Sequence, residues 1–207
     1  MEIFYEHTLP FPKPFPDVKI SISNEEIFIR KKSIPIKNIT GYAIAEHQLK
    51  MGPVKGGTLF TLKIFYGKRK PFYFELNRSQ FKDHMTITDG IIKGLWKAIG
   101  IHKFRLIVDG IKKGYEVPLN EKESIIITPT GIVCKSKGFL SSKLTLITWE
   151  NLKSNFLRGA LGIGDNRGEG YPFNFPADDT ENLLVLMIFF GWRSEKHGDV
   201  TDFSKIE

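Results

Sequence analysis

The sequence predicts an α+β fold, mainly β, in which one plan of strands closed by a C-terminal helix is built twice. Three observations predict it. The first is a returning text: Lys70-Pro71-Phe72-Tyr73-Phe74-Glu75-Leu76, a polar turn, then an apolar run through Ile91, Ile92, Leu95, Trp96 and Ile99. It recurs as Tyr171-Pro172-Phe173-Asn174-Phe175, a polar turn, then Leu183, Leu184, Met187 and Ile188. The second is a pair of upstream matches. Ile20, Ile22, Ile27 and Ile29 match Ile125, Ile127, Ile132 and Cys134, each 105 positions later. Ile34, Ile36, Asn38 and Ile39 match Ile147, Trp149, Asn151 and Leu152, each 113 later, whereas Pro71, Phe72 and Phe74 match residues 101 later. Changing offsets put the length differences in loops, which tolerate them because they bury little. The third is the alternation of apolar and polar residues that marks half-buried strands. The expected division is an arm over residues 1–17, a first unit over 18–100, a helical linker over 101–123, a second unit over 124–193 and a polar tail over 194–207.

The arm reads Leu9-Pro10-Phe11-Pro12-Lys13-Pro14-Phe15-Pro16. Proline at every second position excludes helix and imposes an extended path. Packing Phe11 and Phe15 on the arm's own unit is the economical expectation, since exposed Phe is costly; a groove on another protein is the alternative. Residues 18–23 alternate Val18, Ile20 and Ile22 with Lys19, Ser21 and Ser23, then turn at Asn24-Glu25-Glu26 and return over 27–30 as a hairpin. Residues 34–39 form a short strand or bend, and 41–48 a further strand. Gly52, Pro53, Gly56 and Gly57 mark a loop over 51–57. Residues 58–66 and 71–76 are partners across the turn Gly67-Lys68-Arg69. Asn77 or Ser79 can cap the following helix. Gly90, Gly94 and Gly100 each weaken it by about 1 kcal/mol relative to Ala.

Phe104, Ile107, Val108 and Ile111 recur at helical spacing, so a second helix is expected over 102–112, stopped by Gly114. The second unit then has strands over 124–128, 132–135, 144–149, 152–157 and 171–175. Its helix starts near Asp179 or Thr180 and ends near Gly191.

Several residue types invite chemistry and carry little. The run Gly159-Ala160-Leu161-Gly162-Ile163-Gly164-Asp165-Asn166-Arg167-Gly168-Glu169-Gly170 leads into a strand and lacks Gly-Lys-Ser/Thr, so a flexible hairpin loop is expected and not a phosphate cradle. His7, His47, His84, His102 and His197 show no i, i+4 pair and accompany no cysteine pair. Cys134, the single cysteine, sits on the apolar face of a strand and reads as a small core residue. Asp178-Asp179 reads as a helix cap. No catalytic, cofactor or metal site is expected. The longest apolar run, residues 183–192, is half of what a spanning helix needs, about 20 residues. With no secretory signal visible, a cytoplasmic location is expected.

Charge is the informative feature. Residues 1–100 carry 16 Lys/Arg against 9 Asp/Glu, and residues 101–207 carry 14 against 14, so the whole excess of +7 lies in the first unit. Its clusters are Arg30-Lys31-Lys32 and Lys68-Arg69-Lys70, both at expected strand ends. Such patches attract acidic partners or protect strand edges. Nucleic acid would need exposed aromatics among the cations, and alternation sends some of Tyr66, Phe72 and Tyr73 to the core.

A meander of strands closed by one helix, built twice and with Trp96 and Trp192 in the two helices, resembles the pleckstrin-homology-like (PH-like) superfamily in tandem. That resemblance implies two units, each a bent antiparallel sheet or partly open barrel closed by its helix. It also implies a scaffold that serves lipid, peptide or protein binding. Members that bind phosphoinositides place basic residues around the first hairpin loop. Here that loop reads as the acidic Asn24-Glu25-Glu26 in one unit and the neutral Pro129-Thr130-Gly131 in the other, so the role is not carried over. The expected function is a non-catalytic interaction module for a protein or peptide. The alternatives are a peripheral binder of anionic lipid through the first unit, and an enzyme with a site between units.

Overall fold

A computed structural model describes residues 1–11, 16–51, 54–67, 70–77, 80–81, 83–120, 124–137 and 142–196. The fold is mainly β, with four antiparallel sheets and one continuous helix of 29 residues. In the first half, β1 (Ile3–Leu9), β2 (Val18–Ser23), β3 (Glu26–Ile29) and β4 (Lys32–Pro35) form a four-stranded meander. A 3-10 turn, Ile36–Asn38, leads to a three-stranded meander of β5 (Ile39–Met51), β6 (Val54–Tyr66) and β7 (Phe72–Asn77). The order recurs in the second half. There β8 (Val117–Pro118), β9 (Ile125–Ile127), β10 (Gly131–Lys137) and β11 (Ser142–Thr148) form four strands. A 3-10 turn, Trp149–Asn151, is followed by three, β12 (Leu152–Leu157), β13 (Ala160–Asp165) and β14 (Phe173–Pro176).

The sequence offsets coincide with pairing registers. Ile20 faces Ile29 and Ile22 faces Ile27 across β2 and β3; Ile125 faces Cys134 and Ile127 faces Ile132 across β9 and β10. All eight side chains are buried. Alternation explains this, because every second residue of a strand points to one face and only that face must be apolar.

Several expectations are corrected. Residues 3–9, read as part of an arm, are a strand paired with β2. The hairpin taken as the first is therefore the second, and residues 10–17 join β1 to β2. The Gly-rich loop over 51–57 is mostly strand, with residues 52–53 outside the described residues. Half of the glycine-rich run 159–170 is β13, sandwiched between β12 and β14. Of the expected caps, Ser79 lies outside the described residues and Asn77 ends β7. The stretches 12–15 and 197–207, with Phe15 and most of the expected tail, also lie outside them.

The largest correction concerns the helix. Instead of two helices broken near Gly100, α1 (His84–Leu95) runs through a π-helical turn, Trp96–Gly100, into α2 (Ile101–Lys112). The Trp96 ring covers the α-carbon of Gly100, where a Cβ would lie 2.3 Å from it. A π turn inserts one residue into the helical period and so rotates the apolar face. Before it and within it, Ile87, Ile91, Leu95 and Ile99 enter the first half's core; beyond it, Phe104, Ile107 and Val108 enter the second's. One rod thus completes both cores. The second core also takes α3 (Leu183–Lys196), and Trp96, Phe104, Phe189 and Trp192 form edge-on and tilted ring contacts there.

Gly90 and Gly94 acquire a reason. They open a notch on α1 that receives Tyr5 of β1; a Cβ on Gly90 would lie 2.1 Å from its ring. The helix propensity lost at these positions is offset by the aromatic burial they permit.

The halves meet across the outer face of β5 and β6, where Ala43, Ala45, Thr61 and Lys63 are all buried. Asn182, in the left-handed region at φ 61, joins them. Its backbone N–H donates to the Tyr42 carbonyl (2.8 Å). Its side-chain amide donates to the carbonyls of Leu119 (2.9 Å) and Thr40 (3.3 Å). Asp178 and Asp179 do not cap α3; they reach across to His47 (3.9 Å) and Lys63 (3.6 Å).

Candidate functional site

The β3–β4 hairpin turns on two residues, Arg30 and Lys31, because Ile29 pairs with Lys32. A two-residue turn that matches strand twist needs a positive φ at its first position, where glycine is usual. Arg30 holds it, at φ 62, with its N–H donating to the Lys19 carbonyl (2.9 Å). A non-glycine residue there costs roughly 1–2 kcal/mol, so the turn presents a guanidinium at the expense of backbone ease. The Arg30 guanidinium lies 6.0 Å from the Phe74 ring centroid.

Lys32 ties this turn to the next hairpin. Its ammonium donates to the Tyr66 hydroxyl (2.5 Å) and stands 4.7 and 5.0 Å from the Tyr66 and Phe72 ring centroids. Tyr66 ends β6 and Phe72 begins β7, so Lys32 ties the β3–β4 hairpin to the facing ends of these two strands. Of the six cations expected from sequence, Arg30, Lys31, Lys32 and Lys70 are described; Lys68 and Arg69 lie outside the described residues.

A groove of about 520 Å³ opens beside the turn, lined by Phe11, Pro16, Asp17, Val18, Arg30 and Lys31. Phe11 packs edge-on against Phe81 at 5.5 Å, and its N–H donates to the Asp17 carboxylate (3.2 Å). The groove is thus apolar on one wall and cationic on the other, with one carboxylate. Asp17 and Val18 were not legible as site residues; no local pattern ties loop 10–17 to a turn a dozen residues on.

The second half has a groove at the matching corner, about 580 Å³, which includes Ser124, Lys135, Ser136, Asn174, Asp179 and Thr180. Lys135 and Ser136 stand 105 positions after Arg30 and Lys31. Its neighbouring turn, between β13 and β14, is closed on itself. Arg167 donates to both oxygens of Asp165 (3.0 and 2.6 Å), and Lys153 donates to the Gly168 carbonyl (2.6 Å). These bonds from Arg167 hold the Asp165 carboxyl down at about 2. Cys134, buried on β10, has its thiol pushed up to about 12 by desolvation, which leaves a neutral core side chain and no nucleophile.

Comparison with protein families, with curated proteins and with solved structures returns no match for this chain.

Proposed function

We propose that the chain is a non-catalytic interaction module of two PH-like units, and that the first unit binds an acidic peptide segment of a partner protein. The twofold recurrence of four strands, three strands and a helix supports the architectural part. One observation carries the functional part: Arg30 and Lys31, on a turn anchored by the bond from Lys32 to Tyr66, line the mouth of a groove with apolar Phe11, Pro16 and Val18. Exposed cations draw an acidic segment in, and Phe11, Pro16 and Val18 offer burial to its apolar side chains.

Anionic lipid is the second reading. It rests on the corrected hairpin order, by which the β1–β2 connection, through Phe11, Pro16 and Asp17, and not the acidic turn at Asn24, lines the groove with Arg30 and Lys31. The Asp17 carboxylate in the groove weighs against a compact polyanionic headgroup and for an extended peptide.

The test uses the full chain and the K31E/K70E variant, two exposed positions whose reversal leaves stability within about 0.5 kcal/mol each. Acidic peptides with apolar residues interspersed should bind the native chain, more weakly as salt rises, and bind the variant at least tenfold more weakly. Equal binding by both proteins, or stronger retention on phosphatidylserine vesicles than on any peptide, would overturn the peptide reading.

A further inference from the structure

The two four-stranded sheets end in very different edge strands. In the first half the end strand is β4, four residues long, with Lys32 at one end and Pro35 at the other. Short length, a lysine and a proline without an N–H are the means by which a sheet edge is kept from pairing with another chain. In the second half the end strand is β11, seven residues, Ser142-Lys143-Leu144-Thr145-Leu146-Ile147-Thr148. It has no proline and no glycine, one charge, and a content of Thr, Ile and Leu that suits a strand. None of the described strands pairs with its outer edge.

One row of its outward face is apolar as well, beside a row in which Lys135 faces Leu144. Pairing registers run a row across the sheet through Pro118, Ile126, Val133 and Leu146. The matching row in the first half runs through Glu6, Ser21, Phe28 and Ser33, which is polar but for one residue. Leu146 is 49% exposed and its neighbour on the same face, Leu144, 58%. The inner face of the same sheet is the buried core of Ile125, Ile127, Ile132 and Ile147. An unpaired edge strand with two exposed leucines, continued by an apolar row across its sheet, is a surface prepared for further burial.

We propose that β11 pairs antiparallel with β11 of a second copy of this chain, about a twofold axis through Thr145, joining two four-stranded sheets into one of eight. The strand's own sequence argues for this occupant. About that axis Leu144 of each copy lies opposite the partner's Leu146, on the outward face of both. Thr145 lies opposite the partner's Thr145, and Lys143 opposite the partner's Ile147. No lysine meets a lysine, and the two exposed leucines of each copy cover each other. The isologous pairing closes after two copies and leaves no free edge of this strand. Seven residues give about 20 Å of ladder. Charge agrees: residues 101–207 are balanced at 14 cations and 14 anions, so two copies meet through this half without the repulsion of two +7 halves. Pairing here keeps the groove beside Arg30, on the other half, out of the contact, so a dimer carries two such grooves.

Sedimentation equilibrium on the full chain should give twice the 23.7 kDa chain mass at micromolar concentration. L144K/L146K sets lysine against lysine across the axis and should yield a monomer with unchanged circular dichroism, whose melting temperature no longer rises with protein concentration as that of the native dimer does. Cysteine substitution then reads the register without disturbing the fold, because directly opposed strand residues lie within disulfide reach. T145C should cross-link to itself under mild oxidation. L144C and L146C should each cross-link poorly alone and efficiently when mixed. S33C, at the matching position of β4, should not cross-link. A native chain that stays monomeric to hundreds of micromolar overturns the proposal. So does a dimer that L144K/L146K leaves intact, or one in which the L144C and L146C mixture cross-links no better than S33C.

Discussion

The two halves agree where side chains face a core and part company where they face water. Ile20, Ile22, Ile27 and Ile29 answer to Ile125, Ile127, Ile132 and Cys134 at the same registers, all buried. The corners above them do not agree. One groove is walled by Arg30, Lys31 and Phe11; the other by Lys135, Ser136, Asn174 and Asp179. One neighbouring turn leaves Lys70 exposed, whereas the other neutralises Arg167 internally on Asp165. One sheet edge is guarded by Lys32 and Pro35, and the other presents Leu144 and Leu146. The inward faces are held by packing, which tolerates little change in volume. Mouths and edges carry no such constraint, and they are where binding properties can differ between two copies of one plan.

The sharpest way to break the comparison is to ask whether the halves are separate at all. Phe104 sits beyond the π turn, is 1% exposed, and belongs to the second core although its helix begins in the first. Phe104→Ala should cost about 3–5 kcal/mol. Calorimetry should show one transition moved down as a whole, by roughly 2–4 °C per kcal/mol for a chain of this size. Two transitions, with only one displaced, would show that the shared helix does not couple the cores.

A smaller effect sharpens the role of the Tyr5 notch, which has its own counterpart at Val117 over Gly110. Gly→Ala in a helix normally gains about 1 kcal/mol. Gly90→Ala should instead lose about 1 kcal/mol, because the new methyl meets the Tyr5 ring. In a Tyr5→Ala background the same substitution should gain stability. Denaturant titration of the four proteins reads the sign change; a gain in both backgrounds would mean that Tyr5 does not fill the notch.

The smallest effect concerns Cys134, which stands where the matching hairpin β2–β3 has the buried Ile29. Its thiol is raised in the folded chain, to about 12, while an unfolded thiol titrates near about 8.5. The protonated form is the one the fold favours. The Cys134 contribution to stability should therefore be constant below about 8.5 and decline above it, as unfolded thiols ionise. Thiol labelling at pH 8 should proceed at the opening rate of the chain and accelerate in proportion when Phe104→Ala destabilises it. Labelling at the rate of a free thiol would place Cys134 at the surface.

The hairpins β2–β3 and β9–β10 were legible because a half-buried strand has to alternate. β1 was not: Ile3-Phe4-Tyr5-Glu6-His7-Thr8-Leu9 runs into a proline-rich stretch, and its burial depends on a notch in a helix some ninety residues on. β13 was hidden by its glycines. The continuous helix was hidden by Gly100, which read as a break when it is the seat of Trp96. The cations of the candidate site were visible by type and spacing. The bond from Lys32 to Tyr66 was not, because the two meet only once two sheets have packed.

The shared helix also sets an order of events during synthesis. When residue 112 has been made, every element of the first core exists and that half can close over Ile87, Ile91, Leu95 and Ile99. The same rod then carries Phe104, Ile107 and Val108 outward with nothing to cover them. Their partners end at Lys196, about 80 residues later, an interval of roughly 4–16 s at about 5–20 residues per second. For that time the ribosome holds a finished half with an apolar helical stub projecting from it. The exposed apolar face of the stub disappears when α3 arrives and covers it.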